Sequence, residues 1–263
     1  MRVFFLVQLL IVMMAGFVHA AFSQASGDEL NTLLRERGEV YFSFEAPGKE
    51  TLMELSRIIS IDDIRAGEVM AYANEKTFTA FQAFSIPYKI LTPPSTMHPA
   101  QMKSPEQLKG MEEWDFYPTY EAYVEMMYQF ESDYPSICTV FSIGTSIDGR
   151  ELLFARISDN ITVKEEEPQF LYTSSMHGDE TTGIVLTLRL IDYLLSNYGS
   201  DPEVNDLVDK LEIWINPMAN PDGTYAGGNS SVNGATRYNA NGVDLNRNYP
   251  DPEDGPHPDG NAW

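Results

Sequence analysis

The segment YTSSMHGDETTG, residues 172–183, leaves the apolar stretch Phe170-Leu171-Tyr172 and enters a helix-like run that begins at Thr182. Strand, polar loop and helix in that order form the unit from which α/β layer proteins are built. The loop holds His177 and Glu180, three residues apart and beyond the end of a strand, where open α/β sheets place their sites. An imidazole nitrogen and a carboxylate oxygen on one turn can aim at a single metal ion. By itself the spacing also suits a polar loop that caps the Thr182 helix, and a His-x-x-Glu pair arises readily by chance.

Outward from this segment the same alternation continues. Toward the C-terminus come a helix from Thr182 to Tyr198 and a strand from Leu211 to Ile215. Toward the N-terminus lie strands at Thr139–Ile143 and Leu152–Ser158, joined by an Asp148-Gly149 turn, and an amphipathic helix from Tyr120 to Tyr134 closed by Pro135. The pattern predicts a mixed, largely parallel sheet with helices on both faces. Ahead of it, residues 28–91 read as a small β-α-β-α-β domain, with strands at Glu39–Phe44, Glu68–Tyr72 and Tyr88–Leu91 and helices at Lys49–Ile59 and Glu75–Phe84. Residues 92–110, rich in Pro and polar side chains and carrying a solvated His98, read as a linker.

Residues 1–20 have Arg2 ahead of an apolar run and a Val18-His19-Ala20 cleavage pattern. They predict a removable signal peptide and an exported, secreted or periplasmic protein without a stable membrane anchor. A formal net charge of −22 excludes nucleic acid and anionic membranes as natural partners. One cysteine, Cys138, cannot form an intrachain disulfide, and its neighbours Ile137 and Val140 suit a packed thiol. Oligomeric state has no signature in the chain.

A second stretch changes the reading of the first. Asn216-Pro-Met-Ala-Asn-Pro-Asp-Gly223 ends a strand in a turn. After a Gly/Asn/Ser-rich loop, the segment 234–250 carries Arg237, Asn246 and Arg247 with Asp244 as its lone acid. A guanidinium presents a planar fork to a carboxylate or a developing oxyanion, although a lone Arg more often forms a surface ion pair.

In their order, HGDE, NPDG and GVDLNRNYP resemble the zinc carboxypeptidase family, nearest its carboxypeptidase E/N-like branch, over residues 117–250. The resemblance implies a carboxypeptidase-like fold over 111–263 and one Zn²⁺ ion held in part by His177 and Glu180. It also implies a terminal-carboxylate clamp at Asn246 and Arg247, and Arg237 as the catalytic group polarising the scissile carbonyl. The substrate would be the C-terminus of a peptide or protein, and residues 28–91 would be a pro-region or accessory domain. The family's second histidine ligand and general-base glutamate have no match before Trp263; His257 reads as a loop residue. The expectation is therefore a catalytic domain that breaks off part-way, incomplete and inactive as this chain. A non-catalytic peptide-binding relative and a zinc deacylase or amidase are the alternative readings.

Overall fold

The computed structural model describes residues 27–108, 114–247 and 249. The signal-peptide expectation, His257 and Pro250 lie outside the described residues. No helix among those described is long and apolar enough to cross a membrane.

The N-terminal unit runs α1 (Gly27–Arg37), β1 (Glu39–Glu45), α2 (Lys49–Leu55), β2 (Ser60–Arg65), β3 (Glu68–Asn74), α3 (Glu75–Gln82) and β4 (Tyr88–Leu91). Its strands form an antiparallel sheet in the order β2-β3-β1-β4, the split β-α-β arrangement repeated as βαββαβ. This corrects the expected β-α-β-α-β unit. The helix predicted to reach Ile59 stops at Leu55, and β2 and α1 are additions. β2 reads Ser-Ile-Asp-Asp-Ile-Arg, too polar to register as a strand. Ala66 and Gly67 both sit at positive φ (51° and 82°) and close the hairpin onto β3.

Strand β1 is buried on both faces because it serves two layers. Val40, Phe42 and Phe44 point into a core with Val69, Ala71, Phe78 and Phe81. Glu39 and Tyr41 point the other way, toward the second unit, where Tyr41, Tyr72 and Tyr238 form a small cluster. Asn74 caps α3 through a reciprocal capping box with Thr77.

The segment predicted as a linker lies along the second unit. β5 (Met102–Lys103) pairs in parallel with β6 (Tyr117–Pro118), and α4 (Pro105–Leu108) sits between them in sequence. Ala100 and Met102 pack on the larger core, and the Ala100 N–H donates to Asn233 Oδ1 at 2.9 Å.

The second unit continues with α5 (Tyr120–Asp133), β7 (Cys138–Thr145), β8 (Glu151–Ile157), β9 (Gln169–Thr173), α6 (Thr182–Asn197), α7 (Pro202–Val208), β10 (Glu212–Asn216) and α8 (Pro221–Thr224). Its sheet, ordered β7-β8-β10-β9, is mixed. β9 and β10 are parallel, whereas β7–β8 and β8–β10 are antiparallel, so the parallel share is smaller than the pattern predicts. Val140, Leu153, Ala155, Ile213 and Ile215 share one face and pack under Tyr123, Met127, Ile184, Leu188 and Ile191 of α5 and α6. The opposite face carries Phe141, Phe154 and Trp214, half-buried, with Arg156 5.7 Å over the Trp214 ring. Beside them at the β9 edge, Leu171 is 59% exposed. Cys138 is buried, and burial pushes its thiol up to about 12, the inert packed thiol expected.

Phe42 touches the rings of Phe44, Phe78, Phe81 and Tyr88. Phe42→Ala removes the centre of this cluster and is expected to cost the N-terminal unit about 3–5 kcal/mol. A lowered denaturant midpoint for this unit in urea titration checks it.

Candidate active site

Three loop segments carrying the sequence motifs meet backbone to backbone. A Cβ built on Gly178 would lie 2.2 Å from the Gly223 carbonyl carbon, and one built on Gly223 would lie 2.6 Å from the Tyr238 carbonyl oxygen. Only glycine at both positions permits this approach. Hydrogen bonds then stitch the segments together. The Gly178 N–H donates to the Arg237 carbonyl (3.3 Å), the Thr224 hydroxyl to the Gly178 carbonyl (3.1 Å) and the Thr236 N–H to the Gly223 carbonyl (2.8 Å). Asn220 caps α8 by accepting from the Gly223 N–H (3.0 Å), and its amide donates to the Arg237 carbonyl (3.3 Å). Behind the turn, the buried Asp222 accepts from Arg150 (2.8 Å) and from the Ser146 hydroxyl (2.6 Å), tying it to the β7–β8 hairpin.

His177 is 6% exposed and held at both ring nitrogens. Its Nε2 lies 3.1 Å from Asp244 Oδ1 and its Nδ1 2.8 Å from Glu180 Oε1. Burial alone would lower the histidine pKa, but the hydrogen bonds to Asp244 and Glu180 outweigh it and raise it. Glu180 is lowered by its hydrogen bond to His177 against the opposing effect of burial. Asp244 is buried, which favours its neutral form. Hydrogen bonds from His177 and Ser60 and the charges of Arg237 and Arg247 overcome that and hold it well below the usual carboxylate range.

This geometry fits a metal-binding pair. With the Nε2 proton given to Asp244, Nδ1 and Oε1 are two acceptors 2.8 Å apart. Such a contact is favourable only with a cation between them, a proton on Nδ1 or a metal. Among the described residues no third His, Cys, Asp or Glu joins this pair to make a three-donor group; the one such group is the acidic cluster of exposed Asp159 and Glu165 with half-buried Glu167.

Arg237, 4% exposed, lies beside the pair. Its Nε is 3.2 Å from Asp244 Oδ2 and one terminal nitrogen is 3.8 Å from Glu180 Oε1. Asn246 is exposed, and its N–H donates to Asp244 Oδ1 (2.9 Å). Arg247 points back toward β2, 3.4 Å from the Ser60 hydroxyl and 3.4 Å from the Ile61 carbonyl. His177, Glu180 and Asn246 line an open cavity of about 1150 Å³ whose far wall is the 94–101 segment, His98 included.

A family profile described as Zinc carboxypeptidase matches residues 123–261, more than half of the chain. The chain belongs to the zinc carboxypeptidase family. It is 42% identical to carboxypeptidase D of Anas platyrhynchos over 168 residues, 60% of this chain and 12% of that protein. It is 44% identical to carboxypeptidase M of Mus musculus over 137 residues, 50% of this chain and 29% of that protein. The chain therefore spans a minor part of these relatives' length. The solved carboxypeptidase A from Helicoverpa armigera shares the fold, with a TM-score of 0.55 at 19% identity over 81% of this chain and 58% of that one.

The structure brings together all five residues singled out by sequence: His177, Glu180, Arg237, Asn246 and Arg247. It adds four that sequence reading passed over. Asp244 orients His177; its signal was that it is the lone acid of its segment. Asp222 anchors the NPDG turn. Ser60 and Glu39 come from the N-terminal unit and lie more than 170 positions from Arg237 along the chain. No local pattern could have named those two.

Asp244→Asn removes the charge that favours imidazolium. The His177 pKa is expected to fall, read by NMR titration of the imidazole in metal-free protein. Gly178→Ala forces a Cβ into backbone that cannot yield. It is expected to cost more than the ~1–3 kcal/mol of an ordinary overpacked core, and thermal unfolding measures it.

Proposed function

We propose that this chain carries the metal-binding and carboxylate-recognising part of a zinc-dependent exopeptidase that removes C-terminal residues from peptides or proteins. The observation that carries the reading is the convergence of the His177–Glu180 pair, buried Arg237 and Arg247 around Asp244 in a family whose cofactor is zinc. In this reading His177 Nδ1 and Glu180 are two protein ligands of the zinc, with Asp244 fixing the imidazole tautomer. A zinc ion held there supplies a Lewis acid and a water of lowered pKa. Arg237 faces the carbonyl oxygen and stabilises its developing charge, while Asn246 and Arg247 receive the terminal carboxylate. That clamp makes the cleavage exo, because an internal peptide bond offers no carboxylate at this distance. In this reading a further protein ligand and a general base complete the site.

The N-terminal unit covers the arginines. The Ser60 hydroxyl accepts from Arg237 Nε and Arg247 and donates to Asp244, and Asp62 Oδ1 lies 3.8 Å from Arg237. The Tyr72 ring stacks 5.5 Å from the same guanidinium. These contacts use the donors that a substrate carboxylate and oxyanion need. We read residues 28–91 accordingly as a pro-region whose removal frees the clamp, and the leading residues 1–20 as an export signal.

In active enzyme freed of this unit, Arg247→Ala is expected to raise KM for free-carboxylate peptides by about 10–100-fold with kcat nearly kept. Arg237→Ala is expected to lower kcat by about 10²–10³-fold. Amidated peptides should be poor substrates for wild type, read by release of the terminal residue from blocked dipeptides. Equal turnover of free and amidated peptides would overturn the clamp. His177→Ala and Glu180→Ala should each lose zinc by atomic absorption.

A further inference from the structure

Glu39 opens β1 and is 1% exposed at the contact between the two units. Its Oε2 accepts from the Arg237 N–H at 2.9 Å, while its Oε1 has no hydrogen-bond partner. The groups facing it come from both sides. From its own unit, Arg37 at the end of α1 stands 3.9 Å away with its guanidinium also given to the Ala235 carbonyl, and the Tyr72 hydroxyl of β3 is nearby. From the second unit come the Asp179 carboxylate and the backbone N–H of Tyr238, whose own phenol is buried alongside. A carboxyl closed off from water, half-satisfied and turned toward a second carboxyl is stable there only when neutral. Undocking the units returns it to water.

We propose that Glu39 makes the docking of the N-terminal unit onto Arg237 proton-coupled, so that the units hold together in acid and part as the pH rises. This deepens the reading of that unit as a cover for the arginines. The readout is docking and not activity, so its failure leaves the peptidase assignment standing. Burial, followed by the charge of Asp179, raises the docked Glu39 to about 8 from an ordinary 4.5. A raised carboxyl binds a proton on docking. Docking is therefore strongest below the ordinary value, weakens by up to about tenfold per pH unit between the two values, and is weakest above the docked one. Arg37 and the two backbone donors oppose the shift but leave it raised.

The test uses the whole chain without added metal, by small-angle X-ray scattering from about pH 5 to about pH 9, the span in which the two protonation states exchange. The radius of gyration of wild type is expected to grow across that range. Glu39→Gln, which keeps the shape and cannot ionise, should stay compact throughout. A protease should in parallel cut the 92–104 segment of wild type increasingly faster than that of the variant as pH rises. A wild-type radius that does not change with pH overturns the proposal, and this needs no variant to fold. A variant that expands as wild type does also overturns it, because another group would then drive the separation.

Discussion

Everything at the candidate site depends on a contact between two residues that have no side chains. Gly178 and Gly223 let the HGDE loop and the NPDG turn touch through their backbones, and the strand of chain through Thr236–Tyr238 closes over both. The spacing is shorter than any Cβ would permit. Three segments separated by about forty and fifteen residues thereby share one hydrogen-bond network, and His177 and Arg237 inherit fixed positions from it. Preorganisation of this kind is what lets charged groups act without first being reorganised.

Around that fixed frame the charges are arranged in opposition. Asp244 is the common partner of His177, Arg237, Ser60 and the Asn246 N–H. Its negative charge survives burial because several donors converge on it. The same convergence binds the N-terminal unit to the second one, since Ser60 sits inside the network. Glu39 lies at the same contact with too few donors and another carboxylate beside it, and is pushed the other way. Two carboxyls at one contact thus have opposite preferences, set by how many N–H and O–H groups each faces.

The N-terminal unit and the cavity divide access to the site. Ser60, Ile61 and Asp62 stand at the guanidinium side. The His177–Glu180 side stays open to the cavity walled by residues 94–101. That segment's composition is that of a loose linker, yet its Ala100 N–H donates to Asn233, its Gln101 carbonyl accepts from the Tyr117 N–H, and Met102–Lys103 just after it pair with Tyr117–Pro118. Pro and polar residues describe how a segment behaves alone; they carry no information about a surface that happens to offer it partners.

The sequence by itself determined the elements whose periodicity is strong and local: α5, α6, β7, β8 and β10 fall within a residue or two of their expected limits. It also singled out the five candidate site residues, because motifs of glycine, asparagine and charged residues are written contiguously. The short polar strand β2 was invisible, since its stability comes from pairing with β3 and not from its own apolar alternation. Only the tertiary structure decided that β1 is buried on both sides, that most of the sheet's pairings are antiparallel, and that Ser60 and Glu39 reach Arg237 from far upstream. Those facts depend on which surfaces meet, and a buried hydrogen bond between residues far apart in the chain leaves no periodic trace in either segment.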